Sequence, residues 1–389
     1  MPIVEKLKQL QPDMAKWRHD IHAHPELGYE EHRTGEVVAK KLESFGLPVH
    51  RGLGRTGVVG TLSSGSGKRS IGLRADMDAL PIHEKNGFDY RSQNEGKMHA
   101  CGHDGHTTML LGAAKCLADT KNFDGTVHFI FQPAEEGGGG GKAMIDDGLF
   151  EKFPVESVYG MHNWPGMPVG QFGLRPGPMM ASSDEFEITV TGHGAHAALP
   201  YTGIDPIVTG AALVQALQTI VSRNINAVDA AVVTVTQFHG GDAWNVIPPD
   251  AVLRGTARAF RPEIQDLIES SMRRICDGIA AAHGAKVHVH YKRNYPPTIN
   301  APRETEISAQ VLEQMVGAAN VKRDLEPTMG AEDFAYMLQA KPGCYIFVGN
   351  GPGEGGCMLH NPRYDFNDQV LPIGASYWVR LVEHLLPKS

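Results

Sequence analysis

The chain has 389 residues, 41% hydrophobic and 21% charged, with a net charge of -8. That length exceeds what one compact core usually serves, so two domains are expected, and the acidic balance argues against nucleic acid or an anionic membrane as main partner. The start shows neither an apolar h-region nor a small-residue cleavage site, no run approaches membrane-spanning length, and five scattered cysteines without a C-x-x-C pair predict free thiols in a reducing, cytoplasmic setting.

Apolar residues at helical spacing (Val4, Leu7, Leu10, Met14, Trp17, Ile21) predict an opening helix over 4–23, stopping before Pro25. A loop leads to a second helix whose Val37, Val38, Leu42 and Phe45 face inward and which ends at Gly46. Strands are expected over 57–62 and 70–75, the second delivering Asp76 and Asp78 just past its end. After the stretch M-H-A-C-G-H-D-G-H (98–106) come a helix over 107–118, a buried strand over 125–132, the pair Glu135-Glu136 with five glycines, and a strand over 155–160 followed by His162. Alternating strand, loop and helix predict an α/β fold with a mostly parallel mixed sheet sandwiched by helices, in which chemistry collects at the carboxyl ends of strands.

The Pro-rich run from Leu174 reads as a hinge, and the rhythm then changes. Strand 185–191 alternates strictly, and a helix with Pro206 at its first position carries Ile207, Ala211, Val214, Leu217 and Val221 on one face. Strands 231–238 and 251–260, a helix over 262–282 and a strand over 286–292 complete a βαββαβ, ferredoxin-like order. The expected division is therefore 1–182 and 295–389 as two parts of one domain, with 183–294 inserted between them. Beyond the linker 294–298 come a helix near 304–317, a segment 329–336 opening another, a strand over 344–348, a Gly-rich loop delivering Cys357 and His360, and a final helix over 371–386.

A hydrolytic metal centre needs several anionic or imidazole ligands from different strand ends and one carboxylate left to move protons. Cys101 and His103 form a C-x-H pair that can face one ion if the backbone turns sharply, as Gly102 and Gly105 allow. Neighbouring Glu135 and Glu136 diverge, so one can ligate and the other can act as general base. His162 and His360 complete the candidates. Asp76 and Asp78 could ligate, orient a ligand histidine or cap the next segment. Cys357 reads as a bystander or as a group behind the ligands, and His99, Asp104 and His106 as groups behind the ligands or as structural. A closed structural zinc site has no need of an adjacent free glutamate, which counts against that alternative.

These residues sit in longer signatures: W-R-H-D-I-H-A-H-P-E-L-G-Y-E-E, R-A-D-M-D-A-L-P, H-A-C-G-H-D-G-H-T-T, Q-P-A-E-E-G, M-H-N-W-P, G-H-G-A-H-A-A-L-P, N-V-I-P-P and M-G-A-E-D-F-A-Y. Together they resemble the aminoacylase/hippurate hydrolase family of dinuclear metallopeptidases, which includes the indole-acetyl amino acid amidohydrolases, over nearly the whole chain. The resemblance implies an amidohydrolase acting on N-acyl or N-aroyl amino acids, with a dipeptidase, aminopeptidase or N-acetyl deacetylase as the alternative within the same chemistry. It implies that Cys101 bridges two divalent ions as thiolate where relatives place a carboxylate, and that His103, Glu136, His162 and His360 complete the two shells, with Asp78 behind them. Glu135 would be base and then acid. The insert would be a lid and the seat of a homodimer or homotetramer, its His196 donating to the oxyanion, in the partner's site by expectation, while Asn245 and Arg258 hold the substrate carboxylate. Thiolate favours zinc and mixed N/O ligation manganese, with cobalt and nickel as further candidates.

Overall fold

The computed structural model describes residues 2–352 and 357–388. The chain divides into two compact units, one built from 1–179, 299–326 and 333–389, the other from 180–298 and 327–332.

In chain order the first unit opens with helices α1 (Glu5–Ala23) and α2 (His32–Ser44), followed by β1 (Val49–Leu53), β2 (Gly57–Ser64), β3 (Ser70–Asp76), α3 (His103–Thr120), β4 (Gly125–Gln132), α4 (Gly140–Asp146), α5 (Leu149–Lys152), β5 (Ser157–Trp164) and β6 (Phe172–Gly173). Through β7 (Gly177–Met180) the chain enters the second unit: β8 (Ser183–Thr191), β9 (Ala195–His196), α6 (Pro206–Thr219), β10 (Ala231–His239), β11 (Val246–Ile247), β12 (Asp250–Ala259), α7 (Pro262–His283) and β13 (Lys286–Tyr295). It leaves through β14 (Thr298–Asn300) and ends with α8 (Pro302–Val316), β15 (Val321–Lys322), α9 (Phe334–Ala340), β16 (Gly343–Gly349) and α10 (Leu371–Leu385).

The first unit is built on an eight-stranded mixed sheet, ordered β1-β2-β4-β3-β5-β16-β6-β15, whose central strands β4, β3, β5 and β16 run parallel. These strands are near-continuous apolar runs buried on both faces, as parallel strands between helix layers must be. Helices α1, α3 and α10 pack on one another, and α4 packs on α9. The strands over 57–62, 70–75, 125–132 and 344–348 and the helices α1, α2, α8 and α10 form where the sequence predicts them.

Two boundaries differ at the site. Helix α3 starts at His103, not near 107, because Gly102 takes a left-handed φ of 97° as its N-cap and Gly105 is a packing glycine against the Phe366 ring rather than a breaker. Strand β5 runs on to Trp164, so His162 lies within the strand instead of after it. The glycine run winds into α4 from Gly140 onward, and α9 begins only at Phe334.

The second unit is a four-stranded antiparallel sheet ordered β10-β12-β8-β13, the ferredoxin-like arrangement, with α6 and α7 packed on it. Its core joins Phe186, Ile188 and Val190 of β8 to Leu213, Leu217, Leu253, Ile268 and Met272. The Asp205 carboxylate caps α6 by accepting from the Ile207 and Val208 amides. The buried stripe of α6 is Thr209, Gly210, Leu213 and Leu217, whereas Ile207 and Ala211, expected inward, are exposed.

Candidate metal centre

Four segments of the first unit converge. Cys101 and His103 flank the left-handed Gly102, where a Cβ would stand 2.2 Å from Asn163 Nδ2 and 2.6 Å from Tyr364 Oη, so only glycine can make this turn. His162 projects from β5. Glu135 and Glu136 sit in the turn after β4, just past Ala134, whose φ is 52°. His360, with φ 64°, donates its amide to the Ala100 carbonyl at 2.8 Å.

The side chains form two triads sharing one sulfur. In each of the sets Cys101, His103, His162 and Cys101, Glu136, His360 the ligand atoms lie within 4.8 Å of one another, and Glu135 makes a further such set with His103 and Glu136. Cys101 Sγ is 3.3 Å from His162 Nε2, and His360 Nε2 is 3.2 Å from Glu136 Oε1. His162 Nδ1 donates to the Asn163 carbonyl at 2.6 Å, which leaves Nε2 as the lone pair facing the sulfur. His103 Nδ1 is 3.2 Å from Asp78 Oδ1, which turns its Nε2 inward. The other Asp78 oxygen accepts the Glu136 amide at 2.9 Å, so one carboxylate orients two candidate ligands.

Two observations fit this set to cations. His103 Nε2 and Glu136 Oε1 are buried without a hydrogen bond of proper geometry, an arrangement that normally carries a penalty. The electrostatics are also unbalanced. Burial, with Glu136 and Glu135 nearby, pushes the Cys101 thiol well above its ordinary pKa, and burial beside His106 pushes His162 well below. Burial would lower His103 too, but Asp76 and Asp78 outweigh it and raise its pKa to about 10. Divalent ions would resolve all three, since Cys101, His103 and His162 with Glu136 and His360 offer the thiolate, imidazole and carboxylate donors such ions take.

Asp76 is not free to ligate. Its Oδ1 accepts from His106 Nδ1 at 2.6 Å and its Oδ2 from Arg74 Nη1 at 2.6 Å. His106 Nε2 in turn accepts the Asn163 amide at 3.0 Å. Sequence reasoning assigned no role to Asn163, which donates to the Cys101 carbonyl at 2.7 Å and accepts from Tyr364 Oη at 2.6 Å. Nor did it assign one to Arg18 and His22, buried on α1 against Asp104. The one signal for that pair was two ionisable residues, four apart, among the inward positions of an apolar helix face.

His196, Asn245 and Arg258 belong to the second unit. β9 pairs with β11, so His196 lies opposite Val246 and the Asn245 carbonyl accepts the Ala197 amide at 3.0 Å. His196 Nδ1 accepts from the Ala198 amide at 3.1 Å, which puts the ring proton on the exposed Nε2. Arg258 stands apart on β12, its Nη1 buried without a hydrogen-bond partner.

Two candidate ligand triads sharing Cys101, beside Glu135 on an α/β frame, fit a two-metal centre. Residues 72–384 match the model of peptidase family M20/M25/M40, and the chain belongs to that family. It is 44% identical to hippurate hydrolase of Campylobacter jejuni, with 98% of each chain covered. It is 38% identical to N-acetyl-L-cysteine deacetylase of Bacillus subtilis, over 96% of this chain and 88% of the relative. Among solved structures, the Bacillus subtilis YxeP protein, described as a dinuclear metal binding peptidase of the M20 family, superposes with a TM-score of 0.85 at 32% identity, covering 97% and 99% of the two chains.

Proposed function

We propose that this protein is a cytoplasmic, dinuclear metal-dependent amidohydrolase that cleaves N-acyl or N-aroyl amino acids, hippurate-like, to a carboxylic acid and a free amino acid. The observation that carries the reading is the sharing of Cys101 by two ligand triads beside Glu135. Cys101, His103 and His162 would hold one ion and Cys101, Glu136 and His360 the other, and two such ions supply Lewis acidity for the acyl carbonyl and for water. Zinc or manganese suits the mixed donors best, with cobalt and nickel able to substitute.

The chain's own residues do the rest. Glu135 takes the proton of the attacking water and returns it to the departing amine nitrogen. His196, whose Nε2 carries its ring proton, donates to the oxyanion. Asn245 and the Arg258 guanidinium hold the α-carboxylate, for which an otherwise unpartnered Nη1 is suited. Association as a homodimer through the inserted unit is supported by its exposed Tyr201, Val208, Trp244 and Val246.

The test is a panel of N-benzoyl, N-acetyl and N-indoleacetyl amino acids with each metal, run beside Glu135→Gln. That variant is expected to lose about 10²–10⁴-fold in kcat while keeping its metal by elemental analysis. Undiminished turnover by Glu135→Gln, or equal turnover of a substrate whose α-carboxylate is blocked as an amide, would refute the base and the carboxylate anchor respectively.

A further inference from the structure

The turn carrying Glu135 and Glu136 is not held by its own backbone alone. Four side chains from three other segments suspend it: Glu31 accepts the Ala134 amide at 2.8 Å, Asp78 accepts the Glu136 amide at 2.9 Å, Tyr29 Oη donates to the Gly138 carbonyl at 2.8 Å, and Asp333 accepts the Gly141 amide at 2.8 Å. The first of these acts where the backbone is most constrained. Ala134 has φ 52°, a conformation that residues with a Cβ seldom adopt.

Around it the fold is shaped to enforce that conformation. Glu31 is fully buried, and its second oxygen accepts from Thr56 Oγ1 at 2.5 Å. Its burial is sustained by hydrogen bonds, those from Thr56 and Ala134 among them. A Cβ on Gly28 would come 3.1 Å from Ala134 Cα, so the 28–31 segment presses on the turn from the same side. Tyr29 and Arg55 are themselves left-handed, at φ 66° and 74°, with the guanidinium 4.5 Å from the ring centre. Strained non-glycine residues gathered around one turn are a mark of a functional constraint rather than of ordinary packing.

We infer that Glu31 is a positioning residue for the reaction: by fixing the Ala134 amide it turns the chain out of β4 so that Glu136 reaches the ligand set while Glu135 is kept beside it. The inference rests on the proposed function. Loss of the Glu31 carboxylate frees Ala134 to relax to a right-handed or extended conformation, which rotates both following carboxylates together.

The test compares Glu31→Ala, Glu31→Gln and Thr56→Val in cobalt-loaded protein, reading the release of each ion to a competing chelator and, separately, kcat and KM for N-benzoylglycine. Glu31→Ala should release one of its two ions about 10–100-fold more readily and lose a similar factor in kcat, the range seen when a ligand-orienting group is removed, with KM unchanged. Glu31→Gln, which still offers an oxygen to the Ala134 amide, should restore both. Thr56→Val, which frees the carboxylate without deleting it, should fall between and serves if Glu31→Ala does not fold. Wild-type cobalt release and kcat in Glu31→Ala, or in Thr56→Val if only that variant folds, would overturn the inference, as would a Glu31→Gln variant no better than alanine. Should the wild type leave N-benzoylglycine intact, the proposed reaction fails, and cobalt release alone still decides the role of Glu31.

Discussion

His22 gives the fold a dependence on pH that can be worked through from its contacts. It is buried on α1, with Nδ1 2.8 Å from Asp104 Oδ2 and Nε2 3.1 Å from Glu84 Oε1. Burial alone would discharge the ring, but its hydrogen bonds to Asp104 and Glu84 outweigh burial and the repulsion of Arg18, raising its pKa from 6.5 to about 9. A group whose pKa is raised by folding stabilises fully below its unfolded value and ceases to do so as pH rises through the folded one. Each pKa unit corresponds to about 1.4 kcal/mol, so the interval from 6.5 to about 9 is worth about 3 kcal/mol. His22→Gln keeps a neutral hydrogen-bonding group and removes the titration. Urea unfolding of both proteins at the same saturating metal, followed by tryptophan fluorescence from pH 6 to 9.5, gives a difference in which the metal ligands cancel. Trp17, Trp164 and Trp378 all report on the first unit. The difference should shrink by about 3 kcal/mol between pH 6.5 and 9; a constant difference would refute the ion-pair account of His22.

Replacing Cys101 by Ala should strip metal from both sets, because both share its sulfur, whereas Cys101→Asp should retain it; full metal content in the alanine variant, by elemental analysis, would mean that the sulfur does not bridge. Tyr364→Phe leaves Asn163 Oδ1 without its donor and should cost about 1–2 kcal/mol in urea unfolding, while Asn163→Ala also orphans the Cys101 carbonyl and should cost about 2–4 kcal/mol; equal stability of the two variants would disprove the chain of bonds. Val208→Asp on the exposed face of α6 should convert the proposed dimer to a monomer in light scattering, and an unchanged mass would refute an interface through that face.

The elements that the sequence makes legible are those whose signal is local. The strict alternation of β8 and the order of strands and helices after it spell out the ferredoxin-like unit because each strand must show one face to the helices. Helix α6 was harder, since apolar residues occur on both its buried and its exposed faces. Its inward stripe is chosen by the fit of Gly210 against the Phe238 ring and of Leu213 and Leu217 into the core, which no periodicity records. The first residues of α3 were hidden by Gly102 and Gly105, which read as loop until the rings and amides they approach are known. At the centre, C-x-H and the paired glutamates were visible as residue types in short range. Of the groups that hold them, Asp78 was visible as a carboxylate able to orient a ligand histidine, but Glu31 and Tyr364 were not, because Glu31 is 103 residues from Ala134 and Tyr364 is 201 from Asn163. A side chain that acts on a backbone so distant leaves no pattern in its own neighbourhood.

The same distances divide the centre into unequal halves. All three of Cys101, His103 and His162 are buried: Cys101 stands just before the N-cap of α3, His103 opens that helix and His162 lies within β5, and the orienting partners of the two histidines, Asp78 and the Asn163 carbonyl, are buried too. Glu136 and His360 stand instead on a turn and a loop. The His360 side chain is 52% exposed, its backbone is left-handed, and its N–H donates a hydrogen bond to the Ala100 carbonyl beside the first half. A ligand held on rigid elements pays its ordering cost during folding, whereas one on a loop pays it when the ion arrives. On the proposed assignment the first triad would be the preorganised site and the second the adaptable one, with the left-handed Ala134 and His360 setting the direction in which the two loop-borne ligands leave the backbone.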